Sequence, residues 1–323
     1  MDALAYRLLN DYQRGFPLAP RPFAEIAERA GASEAEVLAA YRRLLAEEVL
    51  GRIGVVFRPN TVGASTLAAL AVPPGELERV AALVSAQPEV NHNYEREHRW
   101  NLWFVVAAAD EAEVGAALDR IEAASGLKAL RLPLEEEFHI DLGFDLASGE
   151  VPRGAARNGS RPSLGAAQRR LVTAFEHGLP LVADPYAELG RRIGMQEAEV
   201  IGALRGWLES GVARRLGAVV RHRPLGYRAN AMVVWDVPDA EASAAGKRAA
   251  RHPAVTLCYR RARRLPEWRY NLYCMVHGKE RARVEQAIGD VTREAGLAAC
   301  AHEVLFSARC FAQRGARYAL ADG

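Results

Sequence analysis

With 323 residues, half of them hydrophobic and a quarter charged, the chain has globular composition and room for two ordinary domains or several small ones. No apolar run reaches the roughly 18 residues a membrane helix needs, the N-terminus lacks the basic-then-apolar pattern of a signal peptide, and four cysteines without a C-x-x-C are no disulfide scaffold, so reduced thiols and a cytoplasmic location are expected. The net charge of +2 hides an asymmetry: residues 1–150 hold 14 basic and 24 acidic residues, a net −10, and the remainder carries +12, which favours attraction between the halves.

The elements repeat. In the first half, Leu4 to Asp11 reads as a helix, Pro22 opens a second that Gly31 ends, and Ser33 with Glu36 forms a capping box for a third. The third helix carries Val37, Leu38, Tyr41, Leu44 and Leu45 on one face. Three helices with a glycine turn indicate a helix-turn-helix, and residues 52–58 a wing strand. Strand, helix, strand, strand, helix and strand follow at 65–72, 75–87, 89–96, 99–108, 110–125 and 128–138. A Gly-, Pro-, Ser- and Arg-rich linker occupies 147–163. Beyond it the order recurs: helices 164–176, 185–193 and 196–209, a wing at 213–221, then 228–236, 239–251, 254–261, 268–277, 279–296 and 299–310. The fold class is therefore α+β, a tandem duplication of a winged helix-turn-helix followed by a ferredoxin-like βαββαβ domain. The expected domains are 1–60 and 61–146 for the first copy, 164–224 and 225–323 for the second. The two ferredoxin-like domains are expected to pair face to face about a pseudo-two-fold axis.

Aligning the copies pairs Arg58 with Arg221, Tyr94 with Tyr259, Arg96 with Arg261 and Asn101 with Asn271. Polar differences stand out. His98 has no histidine counterpart, His222 stands where the first copy has Pro59, and the second copy carries an insertion, RARRLPEW against EHR.

Three chemistries compete. DNA binding is suggested by the helix-turn-helix, but the third helices open on Glu34 and Glu36, and on Glu197 and Glu199, which would face phosphates. A hairpin over 91–105 with Tyr94, Arg96, His98 and Trp100 alternating would put all four on one sheet face, suited to a flat anionic ligand; an ordinary solvated hairpin tip is the plain alternative. Arginines near the second wing and in 260–264 suggest a polyanion, either nucleic-acid phosphate or a compact polycarboxylate; only three of 42 basic residues are lysine, and guanidinium grips carboxylates bidentately. His92, His139, His177, His252, His277 and His302 read as structural. No HExxH, P-loop, G-x-S-x-G or paired Cys/His ligand set is present.

The order of elements resembles the Lrp/AsnC regulators, and the motifs are similar to the siroheme decarboxylases that share their fold. Y-E-R-E-H-R-W-N-L-W-F (94–104) resembles the first-type subunit; 221–238 and 258–275, RHRPLGYRANAMVVWDVP and CYRRARRLPEWRYNLYCM, resemble the second. Both together resemble the fused D–L form of haem d1 biosynthesis. The resemblance spans almost the whole chain. It implies removal of the C12 and C18 acetate carboxyls of siroheme, giving 12,18-didecarboxysiroheme, with no added cofactor because the macrocycle is the electron sink. His98 and His222 are then the proton donors or axial ligands to the substrate's iron, and the protein has no metal of its own. Arg58, Arg96, Arg99, Arg221, Arg223, Arg260, Arg261 and Arg264 clamp the carboxylates, with Tyr94 and Tyr259 positioning. The implied partners are siroheme, an intramolecular pseudo-dimer, and a homo-oligomer or related decarboxylase subunits, with no specific nucleic acid and no membrane. A ligand-responsive DNA-binding regulator is the alternative.

Overall fold

The structure, a computed structural model, describes residues 1–140, 143, 146 and 164–318; the expected linker 147–163 lies outside them. In chain order the first copy runs α1 (Ala3–Asn10), α2 (Pro22–Ala30), α3 (Glu34–Ala46), β1 (Leu50–Phe57), β2 (Ala64–Leu70), α4 (Leu77–Ala86), β3 (Val90–Arg96), β4 (Leu102–Ala108), α5 (Glu111–Ser125) and β5 (Leu130–Ile140). The second runs α6 (Ala166–Ala174), α7 (Pro185–Ile193), α8 (Glu197–Ser210), β6 (Ala213–Val220), β7 (Ala229–Trp235), α9 (Asp239–Ala249), β8 (Val255–Arg261), β9 (Leu272–Gly278), α10 (Arg281–Glu294) and β10 (His302–Gln313). These elements gather into two compact units, and each unit draws on both copies: the segments up to Ala64 and Leu225, with Arg317 and Tyr318, in one, and those that start at Ser65 and run from Gly226 to Ala316 in the other.

In the first unit local chemistry starts and stops the helices. The Asp2 carboxylate accepts from the Ala5 N–H at 2.8 Å, Pro22 occupies the first turn of α2, and Gly31 ends it at φ 68°. The Ser33–Glu36 capping box opens α3. Phe23, Ile26 and Tyr41, with Leu8 and Leu9 of α1, are fully buried, each such side chain contributing about 1.5–3 kcal/mol. The wings β1 and β6 pair with each other antiparallel, Gly54 opposite Gly217. Each wing also receives the loop after the other copy's first helix: Ala218 N–H donates to Tyr12 O at 2.7 Å, and Leu179 N–H to Ile53 O at 2.6 Å. Gly217 is required by that approach, since a Cβ there would lie 2.4 Å from the Tyr12 and Gln13 carbonyl oxygens.

In the second unit each copy contributes four strands in ferredoxin-like order, β3-β4-β2-β5 and β8-β9-β7-β10. The copies join edge to edge, not face to face as expected: β5 pairs β8 and β10 pairs β3, closing an eight-stranded barrel. Closure gives each sheet's outer N–H and C=O groups a partner in the other copy, which removes the exposed edges that a face-to-face stack would leave. Side chains alternate as a pleat requires. Ala231, Val233 and Trp235 of β7 pack with residues of α9 and α10, whereas Met232 and Val234 turn to the barrel interior with Trp103, Tyr259, Trp268, Tyr273 and Leu305. The charge asymmetry appears as ion pairs between copies: Arg281 with Glu97 at 2.8 Å, Arg260 with Glu135 at 3.0 Å, and Arg309 with Glu78 and Glu95. Such exposed pairs give about 0–1 kcal/mol each, so they select the partner more than they hold it.

Candidate functional site

The hairpin expected over 91–105 is interrupted. Strand β3 stops at Arg96, whose N–H donates to Asn101 O at 2.8 Å, and β4 begins only at Leu102. Tyr94 and Arg96 therefore lie on a strand, and His98 and Trp100 in a turn, so the four do not share one sheet face. Tyr94 stacks on His92, ring centroids 6.0 Å apart. Arg96 is buried: its Nη1 donates to Leu305 O at 3.0 Å, and burial pushes its pKa down to about 10.

His98 is the centre of a polar chain. Its Nδ1 accepts from the Trp100 N–H at 3.0 Å, and its Nε2 lies 2.5 Å from Glu303 Oε2. The other oxygen of Glu303 accepts from the Tyr270 hydroxyl at 2.9 Å. The imidazole and Trp268 rings meet edge to face, centroids 5.6 Å apart, and Trp268 Nε1 donates to the Tyr273 hydroxyl at 2.7 Å. The Tyr270 hydroxyl is pushed up to about 12, by burial first and then by the Glu303 hydrogen bond and charge, so it stays a donor at neutral pH.

Glu303, Trp268 and Tyr270 were missed in the sequence. Trp268 lies within the second-copy insertion and packs on the first copy's unmatched His98, and Tyr270, just after the insertion, reaches it through Glu303. Glu303 had one signal: it is the one acidic residue of β10 and directly precedes the apolar run Val304, Leu305 and Phe306.

The remaining arginines of this unit are engaged within the chain. Arg260 bridges Glu135 at 3.0 Å and Asp239 at 3.1 Å, while Arg263 pairs with Asp236 and Asp239. Arg261 donates to Leu132 O at 2.6 Å and lies 4.5 Å over the Tyr259 ring, and Tyr259 itself is buried against Tyr273. Arg264 donates to Arg263 O, and the exposed Arg99 to Glu267 O at 2.8 Å. The arginines expected as clamps thus meet Glu135 and the Leu132 carbonyl of β5, Asp239 of α9, and carbonyls of the 263–267 segment.

The other unit holds Arg58, Arg221, His222 and Arg223. Arg58 follows β1, its N–H donating to Val212 O at 2.9 Å. Its charge, with that of Arg14, adds to burial in pushing Arg214 down to about 10, so guanidinium groups gather there. Arg221 pairs with Glu48 at 3.0 Å, and His222 is buried.

Comparison with known proteins decides the family. The pattern described as the AsnC-like ligand binding domain matches residues 62–139 and 224–312, and that described as the siroheme decarboxylase NirDL-like HTH domain matches 6–50 and 168–214. A protein of Paracoccus denitrificans named siroheme decarboxylase NirDL subunit is 46% identical over 99% of this chain and 98% of its own length. The chain belongs to the siroheme decarboxylase NirDL family.

A shorter relative, the siroheme decarboxylase NirD subunit of Stutzerimonas stutzeri, is 53% identical over 45% of this chain and 96% of itself, as a fused two-copy family member requires. A crystal structure of the siroheme decarboxylase NirDL in co-complex with an iron-uroporphyrin III analogue is similar at TM-score 0.67 and 29% identity, over 98% of this chain and 93% of that one. Among the described residues, no helix is long and apolar enough to cross a membrane, and no three His, Cys, Asp or Glu side chains are placed to hold a metal ion.

Proposed function

We propose that the chain decarboxylates siroheme at the C12 and C18 acetates, with His98 and His222 as the groups that act on the macrocycle. The observation that carries the assignment to His98 is its polar chain to Glu303 and Tyr270, an imidazole packed on the Trp268 ring and backed by a carboxylate. In each decarboxylation the bond between the acetate methylene and its carboxyl breaks, CO2 leaves, and the electron pair passes into the macrocycle. A proton then adds to the exocyclic carbon, which becomes a methyl group. A positioned acid speeds such a step by about 10²–10⁴-fold.

The electron sink belongs to the substrate, so no added cofactor is invoked, and the substrate's own iron is the metal that His98 or His222 would meet. For the carboxylates that remain, one unit offers Arg99 and Arg264 with the buried or paired Arg96, Arg260 and Arg261, and the other offers Arg58, Arg221 and Arg223. Tyr94 and Tyr259 are the flanking rings. Siroheme is the partner we assign, in a chain already paired with itself copy to copy.

The regulator reading is weaker on a specific ground. The third helices begin with glutamates, Glu34 paired with Arg21 and Glu36 closing the capping box, and α8 likewise begins with Glu197 and Glu199. Negative first turns in the position of recognition helices oppose phosphate contact. Anaerobic incubation with siroheme, alongside a gel-shift titration on promoter DNA, tests the two readings together. Conversion without a sequence-specific shift is expected; a shift without conversion would reverse the choice.

A further inference from the structure

One hydrogen bond and one close carboxylate contact around His98 fix which nitrogen can work. A backbone N–H only donates, so the Trp100 contact makes Nδ1 an acceptor, and the proton of the neutral ring sits on Nε2, against Glu303. Glu303 is itself fixed from the other side by Tyr270, and its Oε2 is cut off from solvent. A carboxylate held on the N–H side of an imidazole orients the ring and stabilises the imidazolium formed when the opposite nitrogen takes a proton.

We propose that Glu303, supplied by the second copy, is the positioning residue for His98 of the first, and that Nδ1 is therefore the working nitrogen. This rests on the reading of His98 given above. Entry of substrate exchanges the Trp100 N–H for the substrate at Nδ1, while Nε2–H stays on Glu303. In the loaded state Nδ1 carries the proton that is delivered to the exocyclic carbon; the ring returns to its neutral Nε2–H form and is reloaded from water. The charged and titratable groups facing this chain come from every side. Glu97, bound to Arg281 of α10, and Arg99 flank the histidine on its own turn; Arg96 is buried at the base of the turn; and the charges of Arg269 and Asp236 act on Tyr270.

The test uses the full chain and siroheme. Glu303→Gln keeps the size and removes the charge. It should lower kcat about 10–100-fold with little change in KM, and shift the alkaline limb of the kcat–pH profile to lower pH, because the imidazolium loses its counter-charge. Glu303→Asp should restore part of the rate, and Tyr270→Phe should give a smaller loss in the same direction. Nitrogen-15 NMR of the substrate-free wild type, which needs no turnover, should show His98 as the Nε2–H tautomer. An unmoved limb with wild-type kcat in Glu303→Gln, or an Nδ1–H tautomer, would overturn the proposal even if siroheme is decarboxylated. Absence of turnover by the wild type, with the Nε2–H tautomer present, would sink the functional reading and leave the positioning geometry standing.

Discussion

Replacing His98 with alanine separates chemistry from binding. The side chain makes three contacts: Nδ1 with the Trp100 N–H, Nε2 with Glu303, and an edge-to-face ring contact with Trp268. Losing the second leaves a solvent-excluded carboxylate oxygen without its partner, at about 1–3 kcal/mol, and losing the third removes roughly 0.5–1.5 kcal/mol of aromatic contact. A loss of that size lowers the melting temperature without unfolding the protein. If the ring is the acid, turnover falls by about 10²–10⁴-fold, which is about 3–5 kcal/mol on the barrier. Siroheme affinity should change little, because uniform anchoring is assigned to arginines and appears in KM. The assay pairs an absorbance titration for binding with product quantification under anaerobic single-turnover conditions. His222→Ala provides the contrast: loss of turnover with an unchanged bound-siroheme spectrum marks a proton donor, and a shifted visible spectrum marks an iron ligand. Wild-type turnover by His98→Ala, or lost binding with normal turnover of whatever binds, would refute the reasoning.

Two further outcomes test the fold. Gly217→Ala places a Cβ 2.4 Å from two backbone oxygens and should destabilise by about 1–3 kcal/mol in urea unfolding, whereas Gly54→Ala, opposite it, meets only the flexible Arg52 side chain at 3.1 Å and should cost less; equal midpoints would contradict the close approach of the Tyr12 loop. His277 is held down to about 4 by burial, with the Arg96 charge adding, so below its ordinary 6.5 the unfolded chain takes up a proton that the folded chain refuses. Stability should therefore decline as pH falls from 6.5 to 4, by at most about 3 kcal/mol from this group, and His277→Gln should flatten that slope.

Local signals carried the fold a long way. Pro22, Gly31 and the Ser33–Glu36 pair set helix ends that depend only on neighbours in sequence, and the same order of helices beyond the linker, with Pro185 opening α7, exposed the duplication. The pairing of the copies was legible as charge but not as geometry, since nothing in either copy says that β5 should meet β8 or β10 meet β3. The same limit governs the site. The partners of Arg260 and Arg263 were hidden because Glu135 of β5, Asp236 just after β7 and Asp239 of α9 are distant in sequence. His98 drew notice by lacking a counterpart, yet Glu303 lies on the last strand, and only barrel closure brings it to the turn.

The account rests most directly on the mass of the product. Purified full-length chain, incubated anaerobically with siroheme, should yield a tetrapyrrole lighter by two molecules of CO2, with a singly decarboxylated species appearing first. Recovery of unaltered siroheme from a folded protein that binds it, together with tight operator binding that weakens steeply with salt, would contradict the account.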